Sequence, residues 1–264
     1  MRPLIDGDVL IYEAGYAVEA AWKNDNQMGF PPFDRAAESL DARIANICAM
    51  VEATEPPVLY LTGKTNFRYE IAKRRPYKER PSLKPFHYYN LKAYVQNTRE
   101  CVLSVGMEAD DEMSIAQTAN PSISIICSRD KDLRAVPGWH YGWENHLQPS
   151  FGPLLADILG KIWLSPDRRK LQGYGELFFY AQCLMGDAVD SIPGLGNKTG
   201  PVKAFNILDG CVSIQDAFKR VLEAYRGVYG DDAEEELLEQ GRLLHMTRYL
   251  DEWGNPVLWE LPCV

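Results

Sequence analysis

Ser122–Asp132 reads SISIICSRDKD. The first six residues, rich in isoleucine, make a strand. Ser128 and four charged residues follow at once. Acids just past a strand match open α/β sheets, which bind ligands at the carboxyl ends of their strands. The chain opens in the same way, with Leu4-Ile5 running into Asp6-Gly7-Asp8. Between these two stretches, 34–53 is expected to be helical, because Leu40, Ile44, Ile47, Cys48 and Val51 follow the helical period. Pro56-Pro57 breaks it, and Val58–Thr62 is a further strand. Residues 86–103 read as a helix, and Glu108-Ala109-Asp110-Asp111 starts another. Trp139–Trp143 reads as one more strand. Strands alternating with helices predict an α/β fold with a central, mostly parallel sheet flanked by helices. Beyond about residue 150 strand signals largely stop, and 174–186, 202–208, 213–228 and 232–250 read as helices. The expected division is an α/β core over 1–165 and a C-terminal helical region over 166–264 packed on it.

Of the 264 residues, 46% are hydrophobic and 25% charged, the balance of a soluble globular protein. The opening MRPLIDGDVLIY has no signal-peptide layout, and no apolar run is long enough to span a bilayer. The six cysteines are scattered without a CxxC pair, so they read as reduced thiols in a cytoplasmic protein with no membrane partner. No histidine forms a zinc spacing with a cysteine. The net charge of −9 argues against a general nucleic-acid binder. Its distribution reverses that view. Lys64–Lys84 holds eight basic and two acidic residues, a window of +6 that leaves −15 on the remainder. Phe67, Tyr69 and Tyr77 interleave with the cations. An acidic body with one basic stripe suits a DNA-handling enzyme with a carboxylate metal site; a solvated charge run is the plainer reading.

Met185–Phe205, MGDAVDSIPGLGNKTGPVKAF, adds two features. Asp187 and Asp190 are three apart, so on a helix they share one face and need a cation between them. Hard oxygen pairs suit Mg²⁺ or Mn²⁺. Pro193 ends a helix, Gly194, Gly196 and Gly200 permit a tight turn, and Pro201 begins the next helix. Exposed amides there, with Lys198, make an anion cradle. The candidate acids are Asp6, Asp8, Glu108, Asp110, Asp111, Asp130, Asp132, Asp187 and Asp190. Singly, each reads as a helix cap or turn residue. Gathered at one sheet edge they would require multivalent cations. Two such ions activate water and stabilise the leaving oxygen of a phosphodiester, chemistry that needs no histidine, cysteine or serine nucleophile.

These pieces, LIDGD (4–8), FRYEIAKRRPYKER (67–80), EADDE (108–112), SRDKD (128–132) and GDAVDSIPGLGNKTG (186–200), resemble in order the 5′-nuclease family of flap endonucleases and 5′→3′ exonucleases. The resemblance runs from residue 4 to about 208, and the EQGRLLHMTRYL…VLWELP ending is similar to phage members. It implies a structure-specific 5′ nuclease, with Asp6, Glu108, Asp110, Asp111 and Asp130 at one metal ion. Asp132, Asp187 and Asp190 would complete a second. It also implies a helical arch over about 64–84, with Tyr77, Lys78 and Arg80 on the path of single-stranded 5′ ends. Residues 191–206 would form a helix–three-turn–helix gripping duplex DNA through Gly194, Gly196, Lys198, Thr199 and Lys203, with K⁺ on its carbonyls. Arg68, Lys73 and Arg75 would join the DNA contacts. The partners implied are DNA 5′ ends, flaps and duplexes, with RNA of RNA–DNA hybrids as an extension. The chain is expected to act as a monomer in the cytoplasm, that of the host if phage-encoded.

Two departures stand out. Gly63 falls where the family has an aspartate after its second strand, which leaves Asp8 as a partial substitute. Arg80 lies two residues after Lys78 instead of three, so Arg74, Arg75 and Arg80 all remain candidates for the arch arginine. Two rival readings stay open. Asp6-Gly7-Asp8 resembles the DxD motif of haloacid-dehalogenase-type phosphatases, with Leu61-Thr62-Gly63 and Gly186-Asp187 as later motifs. A non-catalytic DNA-structure binder is the other.

Overall fold

Arg2–Asp6 is the expected first strand, β1, and Asp6 is also the N-cap of α1 (Gly7–Asn24). The structure, a computed structural model, describes residues 1–78, 83–145, 148–196 and 199–263. The chain continues through α2 (Phe33–Met50), β2 (Val58–Leu61), the four-residue α3 (Arg68–Ile71), α4 (Tyr88–Thr98), β3 (Cys101–Leu103), α5 (Ala109–Ala119) and β4 (Ser124–Cys127). A 3₁₀ turn at Asp132–Ala135 leads to β5 (Gly138–Gly142) and β6 (Phe151–Ala156). Then follow β7 (Lys161–Leu164), β8 (Leu171–Tyr174), α6 (Gly175–Met185), α7 (Pro201–Leu208), α8 (Ile214–Tyr229) and α9 (Ala233–Leu244).

The chain divides into two units, and it passes back and forth between them. The first takes Met1–Thr65, Ser82–Asp130 and Gly138–Leu155; the second takes Asn66–Pro81, Lys131–Pro137 and Ala156–Val264. The expected boundary near 165 therefore falls near 155, and the basic stripe from Asn66 onward goes with the second unit.

The first unit is built on a six-stranded sheet of order β3-β2-β1-β4-β5-β6. β1 pairs in parallel with β2 and β4, β2 with β3, and β4 with β5. α1, α2 and α4 pack with one another, and α5 packs against β1, β2 and β4. Ile5, Leu59 and Ile125 from the strands meet Leu10 and Ile11 of α1, Leu40 and Ile47 of α2, and Leu91 and Val95 of α4. Burial of these side chains supplies the first unit's main drive to fold.

The second unit is organised around α6. All ten residues from Gly175 to Leu184 are buried, the polar Glu176 and Gln182 included. The antiparallel β7–β8 hairpin, α7, α8 and α9 surround it. Phe178, Phe179 and Leu184 pack there with Val221, Leu222, Tyr225 and Leu237.

Several sequence expectations need correcting. α1 is absent from the sequence reading, and residues 101–103 are an edge strand instead of a helix end, fixed by pairing with β2. Strands do not stop at 150, since β6, β7 and β8 follow. α9 ends at Leu244, where His245 turns extended (φ −74°, ψ 129°). Among the described residues the 64–84 run carries one turn of helix, α3, and no helical arch.

Candidate active site

The chain builds β1, β2 and β3 outward in one direction and then returns to place β4 against the other side of β1. The crevice of such a sheet opens at the carboxyl ends of those two strands. Asp6 stands there. Its Oδ1 accepts from the Val9 N–H at 3.0 Å and its Oδ2 from Ser128 Oγ at 2.7 Å. Ser128, just past β4, also accepts from the Asp130 N–H at 2.9 Å. One hydroxyl thus ties together the two acid-bearing strand ends. Asp6 is only 3% exposed. Burial pushes its carboxyl up to about 6, against the bonds from Val9 and Ser128, and nearby Asp8 adds to the rise.

Asp8 turns its Oδ2 to the Thr62 N–H at 2.7 Å, while its Oδ1 is buried without a hydrogen-bond partner. Thr62 Oγ1 in turn accepts from the Ala109 N–H at 3.1 Å, at the start of α5. There Glu108 and Asp111 form a capping box, with the Glu108 N–H donating to Asp111 Oδ2 at 3.2 Å. Asp111 is fully buried, and Asp110 and Asp130 are half-buried. Gly63 has a local cause. A Cβ at this position would lie 2.0 Å from the Ser104 carbonyl oxygen, and its N–H donates to Ser104 Oγ at 3.1 Å. No side chain fits, so an aspartate cannot stand there. The carboxylate beside that point is Asp8, bound to Thr62.

In the second unit, Asp187 and Asp190 do not share a helix face. They lie on a turn closed by the Asp187 N–H to Ile192 O at 2.9 Å and the Ile192 N–H to Asp187 O at 2.8 Å. Asp187 Oδ1 accepts from the Val189 N–H at 2.7 Å, an Asx-type closure that competes with helix. Gly194 is required here: its φ is +61°, and a Cβ would meet Gly186 N at 2.3 Å. Gly200 is not, because its φ of −93° suits any residue and nothing lies near its Cβ position. Lys131 Nζ bridges Asp132 Oδ1 at 2.8 Å and Asp187 Oδ2 at 2.5 Å, and Gln182 Nε2 also donates to Asp132 Oδ1. Burial alone would depress the Lys131 ammonium; Asp132 and Asp187 outweigh it and hold its pKa above the ordinary lysine value. Burial works likewise against Asp187, and Lys131 overrides it, keeping that carboxyl below the usual range. Asp190 receives Tyr77 OH at 3.1 Å, and Lys78 Nζ lies 3.8 Å from its other oxygen.

Among the described residues, no three His, Cys, Asp or Glu side chains are gathered closely enough to hold a metal ion as they stand. The donor chemistry nevertheless suits one. Every candidate ligand is a hard oxygen. In the first unit the buried Asp8 Oδ1 has no hydrogen-bond partner and could accept a cation.

The basic stripe is largely engaged within the second unit. Arg68, 1% exposed, donates Nε to Leu243 O at 2.9 Å, so its expected DNA contact is corrected to a structural one. Tyr77 is 5% exposed and its ring is packed in the core, not offered to single strands. Lys73 and Arg74 are held by α9. Arg75 is exposed, as is Lys203 on the first turn of α7, while Thr199 is buried. Arg80 and Lys198 lie outside the described residues. Sequence reasoning missed Ser128, Lys131 and Gln182. The first two stand inside the SRDKD stretch itself, as a hydroxyl and a lone cation among acids.

No protein-family model matches this sequence, and no curated protein matches it. Among solved structures, it is similar to the 5′-exonuclease of bacteriophage T5 with bound zinc. The alignment covers 92% of this chain and 99% of that one, at 17% identity and a TM-score of 0.53. The chain has a 5′-nuclease fold. A second 5′-nuclease structure, the bacteriophage T5 flap endonuclease in a pseudo-enzyme–product complex with DNA and metal ions, gives a TM-score of 0.50. It matches at 15% identity over 90% of this chain and 97% of that one. At these identities the likeness is one of fold. No helix is long and apolar enough to cross a membrane among the described residues.

Proposed function

We propose that this protein is a structure-specific 5′ nuclease that hydrolyses DNA phosphodiesters with divalent metal ions, Mg²⁺ or Mn²⁺. The observation that supports it best is the Asp6–Ser128–Asp130 junction, where a deeply buried, reluctantly ionised carboxylate stands at the carboxyl ends of β1 and β4. Asp6, Glu108, Asp110, Asp111 and Asp130 would hold one ion, and Asp132, Asp187 and Asp190 a second. Ions bound there supply an activated water and charge compensation at the phosphodiester.

The chain's own groups do the rest. Ser128 fixes the Asp6 carboxylate by donating to it. Lys131 neutralises Asp132 and Asp187 until another cation replaces it. Lys78 brings a mobile point charge to the phosphate, with Arg80, or Arg74 once freed from Glu236, as a second, and Tyr77 orients Asp190. Gly194, Gly196, Lys198, Thr199 and Lys203 would hold duplex backbone without reading sequence, with K⁺ at the turn. Flaps, nicked ends and RNA–DNA hybrids are the substrates this reading extends to, with a cytoplasmic monomer as the working form.

The test is cleavage of a 5′-flap, a nicked duplex and a blunt duplex with Mg²⁺ or EDTA, using wild type and Asp130→Asn/Asp132→Asn. Metal-dependent cutting near 5′ ends, lost by several orders of magnitude in the double variant while DNA binding persists, is the expected result. Near-normal turnover of the variant overturns the metal assignment.

A further inference from the structure

Lys73 and Arg74 form an anion cradle, and a carboxylate already sits in it. Their two successive backbone N–H groups both donate to Glu239 Oε1, each at 3.0 Å. Consecutive amides converging on one oxygen are a common way for backbone to hold phosphate. The side chains complete the cup. Lys73 Nζ lies 3.2 Å from Glu235 Oε1, and Arg74 Nη1 lies 3.0 Å from Glu236 Oε2. All three acids come from one face of α9. Arg74 Nη1 also donates to Tyr229 OH at 2.8 Å, and that hydroxyl donates to Leu195 O at 2.9 Å. The nearest heavy atom to a Cβ built at Gly196 is the same Tyr229 hydroxyl, at 3.4 Å. The cradle is therefore contiguous with the Gly194–Gly196 turn inside the second unit.

We propose that Lys73 and Arg74 are a phosphate-binding site for the nucleic-acid backbone, masked by Glu235, Glu236 and Glu239 acting as surrogate phosphates. The inference rests on the DNA-binding reading above. The Lys73–Glu235 pair is exposed and weak, but the Arg74–Glu236 side chains are only 31% and 25% exposed, so the carboxylates keep duplex phosphate out of the cradle until they are neutralised. The adjoining turn favours a duplex backbone as the occupant. One phosphate at the turn brings its neighbours on the same strand to the cradle. Arginine with paired amides suits a tetrahedral anion. The mask keeps a strongly basic segment from holding every polyanion it meets.

The experiment is a salt titration of duplex affinity in EDTA, where no hydrolysis can occur. Glu235→Gln/Glu236→Gln/Glu239→Gln should bind more tightly and raise the magnitude of the log K against log salt slope by about 2, for two cations released to phosphate. Adding Lys73→Gln/Arg74→Gln to that variant should return the slope to the wild-type value. A charge-matched control, Glu52→Gln/Glu55→Gln/Glu252→Gln, separates the cradle from a change in net charge. A triple variant no steeper than this control overturns the proposal. Lys73→Gln/Arg74→Gln in the wild-type background gives an independent check should the triple variant fold poorly. Masked cations leave the slope unchanged, and a fall of about 2 would show that they were never masked. Wild-type protein that binds no DNA at any salt overturns the DNA reading itself, and this inference with it.

Discussion

Lys131 Nζ lies 2.5 Å from Asp187 Oδ2. The same ammonium reaches Asp132 Oδ1 at 2.8 Å, so one internal cation serves two of the three acids proposed for the second metal ion. A divalent ion held by those acids, as proposed, would have to compete with this lysine.

Lys131→Met should therefore leave Asp132 and Asp187 repelling each other. In EDTA the variant should lose about 1–2 kcal/mol, less than a fully buried pair would cost, because the lysine side chain is 49% exposed. Added Mg²⁺ should then raise its melting temperature more than that of wild type. Thermal melts with and without Mg²⁺ check this, and equal Mg²⁺ shifts in the two proteins would rule out the competition.

Asp6 gives a pH signature. Its folded carboxyl sits at about 6, against an ordinary 3.8. The folded state holds the proton more tightly. The group's contribution is fully present below about 3.8 and lost as pH climbs through about 6. That loss is about 2 kcal/mol between pH 4 and pH 7. Asp6→Asn keeps a residue that can cap α1 and removes the titration. In EDTA it should gain stability on wild type as pH rises from 4 to 7, read by urea unfolding at each pH. Parallel profiles for the two proteins would show that Asp6 ionises normally.

Gly63→Ala tests steric exclusion. With a Cβ 2.0 Å from Ser104 O, backbone must shift, and the cost should be about 2 kcal/mol or more. Gly63→Asp should be at least as unstable and should not raise Mg²⁺ affinity. An aspartate variant of wild-type stability would show that geometry does not exclude an acid at this position.

Lys78→Ala should slow 5′-flap cleavage more than it weakens duplex affinity, because its ammonium is aimed at an acid of the proposed site and not at a groove. Lys78 also holds a positive φ of +51°, so Lys78→Gly should relieve strain and melt higher while cleaving equally slowly. Single-turnover rates beside binding isotherms separate the two effects. Equal losses in rate and affinity would make Lys78 an ordinary electrostatic contact.

The parts legible from sequence are those where one short segment carries its own reason. β1 and β4 are apolar runs stopped by acids, and the structure finds Asp6 and Asp130 at their ends. α6 is mostly apolar and is buried from Gly175 to Leu184. β3 is three residues long and becomes a strand only because β2 lies beside it. The turn that carries Asp187 and Asp190 is closed by a backbone pair with Ile192, which side-chain spacing does not encode. The absent acid at Gly63 was visible as a departure, but its cause, the Ser104 carbonyl, lies 41 residues further along the chain. The stripe of cations was plain, whereas its neutralisation by α9 depends on a helix far away in sequence.

The repeated passage of the chain between its two units bears on its birth. Lys73 and Glu239 are 166 residues apart, so the basic segment leaves the ribosome long before the acids that cover it exist. During that interval the nascent chain carries an uncovered polycation amid cellular RNA, and the Tyr77 ring has no α6 core to enter. A stop codon between the basic segment and α9 would release a fragment whose cations never meet those acids and whose second unit lacks a helix.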